Sequence, residues 1–202
     1  MAMHTWFECK IRYEKVMENG MQKKVTEPYL VDALSFTEAE ARIIEEMTPF
    51  ISGEFTVSDI KRANYSELFP SDEESADRWF KCKLVFITLD EKSGAEKKTS
   101  AQMLTQASNL KEAIEVLEKG MKGTLADYKI ASVTETALMD IFPYDAEDDK
   151  DTDKTADANN PSVRKFFQSL PEGCKTEITV SGKKIIVDKT GRDTIVTPMD
   201  EG

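Results

Sequence analysis

The sequence predicts an α+β fold: internally duplicated ββαβ repeats over residues 5–143 forming a pseudo-twofold domain, then a small C-terminal helix and β-hairpin unit. Three observations predict it. Trp6-Phe7-Glu8-Cys9-Lys10-Ile11 recurs as Trp79-Phe80-Lys81-Cys82-Lys83-Leu84, 73 residues on, using both tryptophans of the chain. Glu67-Leu68-Phe69-Pro70 recurs as Asp140-Ile141-Phe142-Pro143 at the same offset. Within each copy, two runs rich in β-formers flank a turn signal and precede a capped amphipathic helix.

The first repeat covers about 5–70 and the second about 78–143. Residues 5–17 and 21–31 read as strands around Glu18-Asn19-Gly20, whose Asn-Gly pair suits the positive φ values of a tight hairpin turn. Strands 79–90 and 96–104 flank Lys92-Ser93-Gly94 in the same way. The offset of 73 carries Lys24 onto Lys97, Thr26 onto Thr99, Leu30 onto Met103 and Val31 onto Leu104, and one extra residue is then needed in the helix.

Ser35-Phe36-Thr37-Glu38 is a capping box, in which hydroxyl and carboxylate each take an orphaned backbone donor. Ala39, Ile43, Ile44 and Met47 follow as an apolar stripe. Asn109-Leu110-Lys111-Glu112 opens the second helix, with Ala113, Val116, Leu117 and Met121 as its stripe. Residues 53–63 and 126–136 read as third strands, and Tyr65–Phe69 and Leu138–Phe142 as short extra strands or turns. Three strands and a helix bury little surface alone, so the copies are expected to join or pack as a pair.

Residues 144–160 read as an acidic linker; from Asp145 to Asn160 the chain runs DAEDDKDTDKTADANN with no large apolar residue. The C-terminal unit, 161–197, begins at Pro161 with a helix over 162–170, followed by strands 176–180 and 183–188 around Ser181-Gly182 and a strand at Thr194-Ile195-Val196.

Composition narrows the chemistry. Net charge is −11, which disfavours whole-molecule electrostatic coating of duplex DNA. A single histidine, His4, and three scattered cysteines, Cys9, Cys82 and Cys174, supply neither a catalytic dyad, a zinc site nor a disulfide framework. Asp72-Glu73-Glu74 and Asp148-Asp149 are acidic clusters in polar stretches and read as solvation. Gly120-Met121-Lys122-Gly123 reads as a helix end, not a phosphate loop. The sequence thus predicts a non-enzymatic protein without cofactor or metal. It shows no apolar run long enough to span a bilayer and no leader pattern, so a cytoplasmic protein without membrane partners is expected.

Two surfaces carry the expectations of binding. Adjacent strand residues face opposite sides, so one ring of each pair Trp6-Phe7 and Trp79-Phe80 enters the core. If the other is exposed, Trp6 with Lys10 and Trp79 with Lys83 suit stacking on single-stranded nucleic acid; the plain alternative is that both rings are buried between the copies. Over 161–192, seven basic residues stand against three acidic ones, with Arg164, Lys165, Lys183 and Lys184 as the candidate basic patch, though a solvated strand face explains the same lysines. The acidic linker suits self-masking, partner recruitment or plain solubility. The alternative function is a protein-interaction or structural module, with the tethered C-terminal unit adding a second contact to a host or phage protein.

WFECKIRYEKV, the helix start SFTEAEA and the strand FTVSDIKRANYSELF resemble an uncharacterised family of small proteins from Bacteroides-type gut bacteria and their phages or mobile elements, known only as a domain of unknown function. The resemblance covers residues 5–143. It implies a phage or mobile-element accessory context and no catalytic residues.

Overall fold

The computed structural model describes residues 5–144, 172–180 and 183–199. The acidic linker, the helix at 162–170 and the residues Arg164 and Lys165 lie outside them. The chain divides into two compact units. One is built from residues up to Ala63 together with those from Asp140 on; the other is the contiguous stretch Asn64–Met139.

In the first unit, β1 (Thr5–Val16) and β2 (Gln22–Ala33) form an antiparallel hairpin, α1 is Phe36–Met47, and β3 (Phe55–Ala63) pairs antiparallel with β1. In the second, β5 (Arg78–Leu89), β6 (Glu96–Ala107), α2 (Leu110–Gly120) and β7 (Asp127–Glu135) follow in the same order and pairing, preceded by β4 (Glu67–Phe69). The fold is α+β, as expected.

Both helices start where the capping residues predict. The Ser35 hydroxyl accepts from Glu38 N at 3.1 Å, and the Asn109 side chain accepts from Glu112 N at 3.0 Å. Each N3 carboxylate reaches one residue behind the cap, Glu38 to Leu34 N at 3.0 Å and Glu112 to Ser108 N at 3.1 Å. The stripe Ala39, Ile43, Ile44 and Met47 is buried; on α2, Ala113, Leu117 and Met121 are buried and Val116 partly so.

The register moves the extra residue. Tyr13 faces Val25 and Phe86 faces Thr99, so the second strands already correspond at an offset of 74, and Leu30 answers to Leu104 instead of Met103. The insertion lies in the hairpin turn, five residues at 17–21 against six at 90–95, and not in the helix. A one-residue slip would turn every side chain of β6 to the opposite face; the structure instead places Leu30 and Leu104 alike, both buried. Gly20 has the expected positive φ of 77°, yet the turn is longer than a two-residue Asn-Gly turn because Met17 N bonds to Met21 O.

Two assignments differ from the sequence reading. The short strands at the repeat ends do not stay with their repeats: β4 pairs parallel with β6 in the second unit, and β8 (Ile141–Phe142) pairs parallel with β2 in the first. Nor do the C-terminal strands form a unit of their own. β9 (Lys175–Val180), β10 (Lys183–Asp188) and β11 (Thr194–Pro198) run on from β3, giving the sheet order β8-β2-β1-β3-β11-β10-β9, against β4-β6-β5-β7 in the second unit. Ile178, Ile185, Val187 and Val196 join Phe7, Ile11, Phe55 and the α1 stripe in one cluster. Each large apolar side chain so buried contributes about 1.5–3 kcal/mol, which three short strands tethered alone could not match. Lys189 donates to Glu40 on α1 at 2.6 Å, with both side chains mostly buried.

Candidate functional site

The alternation of β1 and β5 sends Phe7, Cys9 and Ile11, and Phe80, Cys82 and Leu84, to the helix side. Trp6 and Lys10, and likewise Trp79 and Lys83, therefore share the opposite face of their strands. Trp6 is half-buried, Lys10 lies 3.9 Å from Asp59, and Lys83 is exposed. Trp79 is only 6% exposed. Its ring lacks the open face that stacking on a base requires, so this half of the expected aromatic platform is withdrawn.

The C-terminal lysines do not gather into one basic face. Lys183 and Lys184 are exposed neighbours on β10 and so point to opposite sides of the sheet. Lys175 pairs with Asp188 at 3.7 Å and Lys189 with Glu40. Between β1, which carries Trp6 and Lys10, and β10 stand β3 and β11, three strand spacings of about 4.8 Å each.

The cysteines are core residues. Cys9 and Cys82 are buried, with each thiol directed at the carbonyl two residues back. Burial, with lesser help from the Glu40, Glu8 and Asp59 carboxylates, pushes the Cys9 thiol up to about 12; burial also raises Cys82. Neither is a nucleophile at neutral pH.

A polar cluster that the sequence reading missed lies toward the turn end of the first hairpin. Tyr13 and Tyr29 both donate to Glu27 Oε2, at 2.8 and 3.0 Å, and Lys15 donates to Oε1 at 3.2 Å. Burial pushes the Glu27 carboxyl up, but the three donors outweigh it and hold the group below its ordinary range. Burial first, and the Glu27 bond second, push Tyr13 up to about 12, and Tyr29 is raised as well. The strand register would have revealed the cluster; composition could not. A groove of about 790 Å³ runs beside it, bordered by Arg12, Lys15 and Lys24 but also by Glu14 and Glu54. With its carboxylate saturated and its phenols locked in the protonated form, the cluster braces the hairpin and has no proton to exchange near neutrality. Among the described residues no group of three or more His, Cys, Asp or Glu could hold a metal ion, and no helix is long and apolar enough to cross a membrane.

The most distinctive surface is an edge. In the first unit β3 is sealed by β11, with Thr194 opposite Val57, Ile195 opposite Thr56 and Val196 opposite Phe55. The corresponding strand of the second unit is β7, where Tyr128 and Ile130 face Phe86 and Leu84 as Phe55 and Val57 face Tyr13 and Ile11. Among the described residues β7 has no strand on its outer side. The consequence shows in the side chains: Phe55 and Val57 are 2% and 5% exposed, whereas Tyr128 and Ile130 are only partly buried against the core of their unit. Leu125, just before β7, is fully exposed.

Residues 5–144 match the family described as Domain of unknown function (DUF4494). The chain belongs to this family. No curated protein matches it. The family assignment covers β1 to β8, with both helices and the open β7 edge, and leaves β9 to β11 outside the matched segment.

Proposed function

We propose that this member of the family is a non-enzymatic interaction module that captures a partner protein, in the phage or mobile-element setting that its sequence resemblance suggests. The open β7 edge carries this reading. A nine-residue strand with unspent backbone donors and acceptors, carrying partly buried apolar side chains, is a template for strand addition. The matched strand order and pairing of β1–β3 and β5–β7, down to a bulge between Lys10 and Ile11 and another between Lys83 and Leu84, supports reading the two units as duplicates of one ancestral unit. On that reading one copy kept its edge for the chain's own C-terminus and the other left it for a partner.

Single-stranded nucleic acid is the rival partner, and the burial of Trp79 and the dispersal of the lysines weigh against it. The test uses the full chain as immobilised bait in host lysate, beside anisotropy titrations with labelled single-stranded and duplex oligonucleotides at low and moderate salt. A protein retained specifically, with no oligonucleotide affinity, is the expected result. Salt-sensitive oligonucleotide binding that is lost in Lys183→Ala/Lys184→Ala, or the absence of any retained protein, overturns the proposal.

A further inference from the structure

We infer that β7 offers a three-residue docking strip for an extended segment of a basic partner protein. The segment runs antiparallel to Tyr128–Ile130 and places a β-branched apolar residue opposite Tyr128 and an acidic residue opposite Lys129, with a lysine or arginine one step past the strip, beside Asp127. This rests on the protein-capture reading and adds the occupant's chemistry and register.

The chain supplies its own template. β11 meets β3 over Phe55, Thr56 and Val57 alone, and the ladder between β1 and β3 bulges immediately after, at Ser58. β7 has its extra residue at the same place, Ala131, between Ile130 and Ser132. A bulge turns a strand out of line and ends regular pairing, so an incoming strand gains the same three positions. On β11 the residue opposite Phe55 is Val196, buried on the helix side. A β-branched residue opposite Tyr128 would cover Tyr128 in the same manner.

Charge sets the rest. Asp127 and Lys129 are exposed and lie on the face away from the helix. Directly opposed unlike charges favour pairing and like charges oppose it, so the strip selects an acid opposite Lys129, and the adjoining Asp127 favours a base beside it. A lysine and a bulge are also how proteins blunt an edge against indiscriminate pairing; here they restrict the edge to a short, charge-matched segment. The chain's own β9 carries Thr176-Glu177-Ile178, a related pattern on another sheet edge, which makes a second copy the competing occupant. Copies that each carry a net charge of −11 repel, whereas a basic protein is drawn in.

The test titrates the acetylated, amidated peptide KTEVKK into isotopically labelled full chain and reads amide shifts and hydrogen exchange. Shifts confined to 127–131 are expected, with exchange at those amides slowed about tenfold at saturation. Lys129→Glu, an exposed change that leaves the core intact, is expected to weaken this peptide about tenfold, and the charge-swapped peptide KTKVKK to restore binding. KTEPKK, with proline opposite Tyr128, is expected to show no binding. Shifts elsewhere, no binding at millimolar peptide, or indifference to Lys129→Glu overturn the strip even when lysate capture succeeds. Peptide binding without any captured protein overturns the functional reading and leaves the strip standing. Concentration-dependent self-association abolished by Lys129→Glu assigns the strip to a second copy and overturns the basic partner.

Discussion

At the scale of single residues, Gly120 shows how a side-chain contact can dictate a glycine that sequence reading assigns to helix termination. It is the last helical residue of α2, and a Cβ built on it would come within 2.4 Å of the Phe69 ring from β4. Of the two glycines at this helix end, Gly123 is the one with positive φ, at 89°. Gly120→Ala therefore forfeits the usual gain in helix propensity. Displacing the ring is expected to lower stability by about 1–3 kcal/mol in denaturant titration, with β4 amides exchanging faster. A second expectation concerns Tyr13, whose folded-state pKa is raised to about 12. Its contribution is complete below about pH 10, where the unfolded phenol is still protonated, and is lost as pH rises toward 12. Tyr13→Phe should flatten the alkaline decline in melting temperature over that window. A third follows from burial: iodoacetamide on native protein should modify Cys174, which is partly exposed, and reach Cys9 and Cys82 only after unfolding.

At the scale of elements, local signals and hairpin pairings were legible and long-range pairing was not. Ser35 with Glu38, and Asn109 with Glu112, announce helix starts because capping is decided within four residues. The alternation of Phe7, Cys9 and Ile11 announces a half-buried strand for a similar reason. By contrast, β8 has two residues and β4 three, too few for any period to register, and their parallel partners lie far away in sequence. The route of β11 to β3 was equally hidden. Thr194-Ile195-Val196 reads as a strand, but nothing in those residues names Phe55 and Val57 as neighbours. The candidate site inherits that blindness, since the openness of β7 is visible only beside the closed β3. Val196→Asp tests the closure: a charge at a fully buried position without a partner is expected to cost several kcal/mol, read as about a hundredfold or greater acceleration of exchange at β3 and β11 amides while β5–β7 stay protected.

At the scale of the whole molecule, the units differ in how the chain supplies them. Residues 64–139 form theirs without interruption, whereas the other takes its β1–β3 and α1 from one side of that stretch and β8–β11 from the other. Arg42 on α1 helps hold the returning chain, donating to Pro143 O at 3.0 Å. A polypeptide leaves the ribosome from its amino end, so the middle segment has everything it needs once Met139 has emerged. The earlier-made segment must wait, with Phe55 and Val57 uncovered, until Val196 has been translated. For that interval the nascent protein leaves the outer borders of both β3 and β7 unfilled, and the arrival of Thr194–Val196 closes the first and leaves the second.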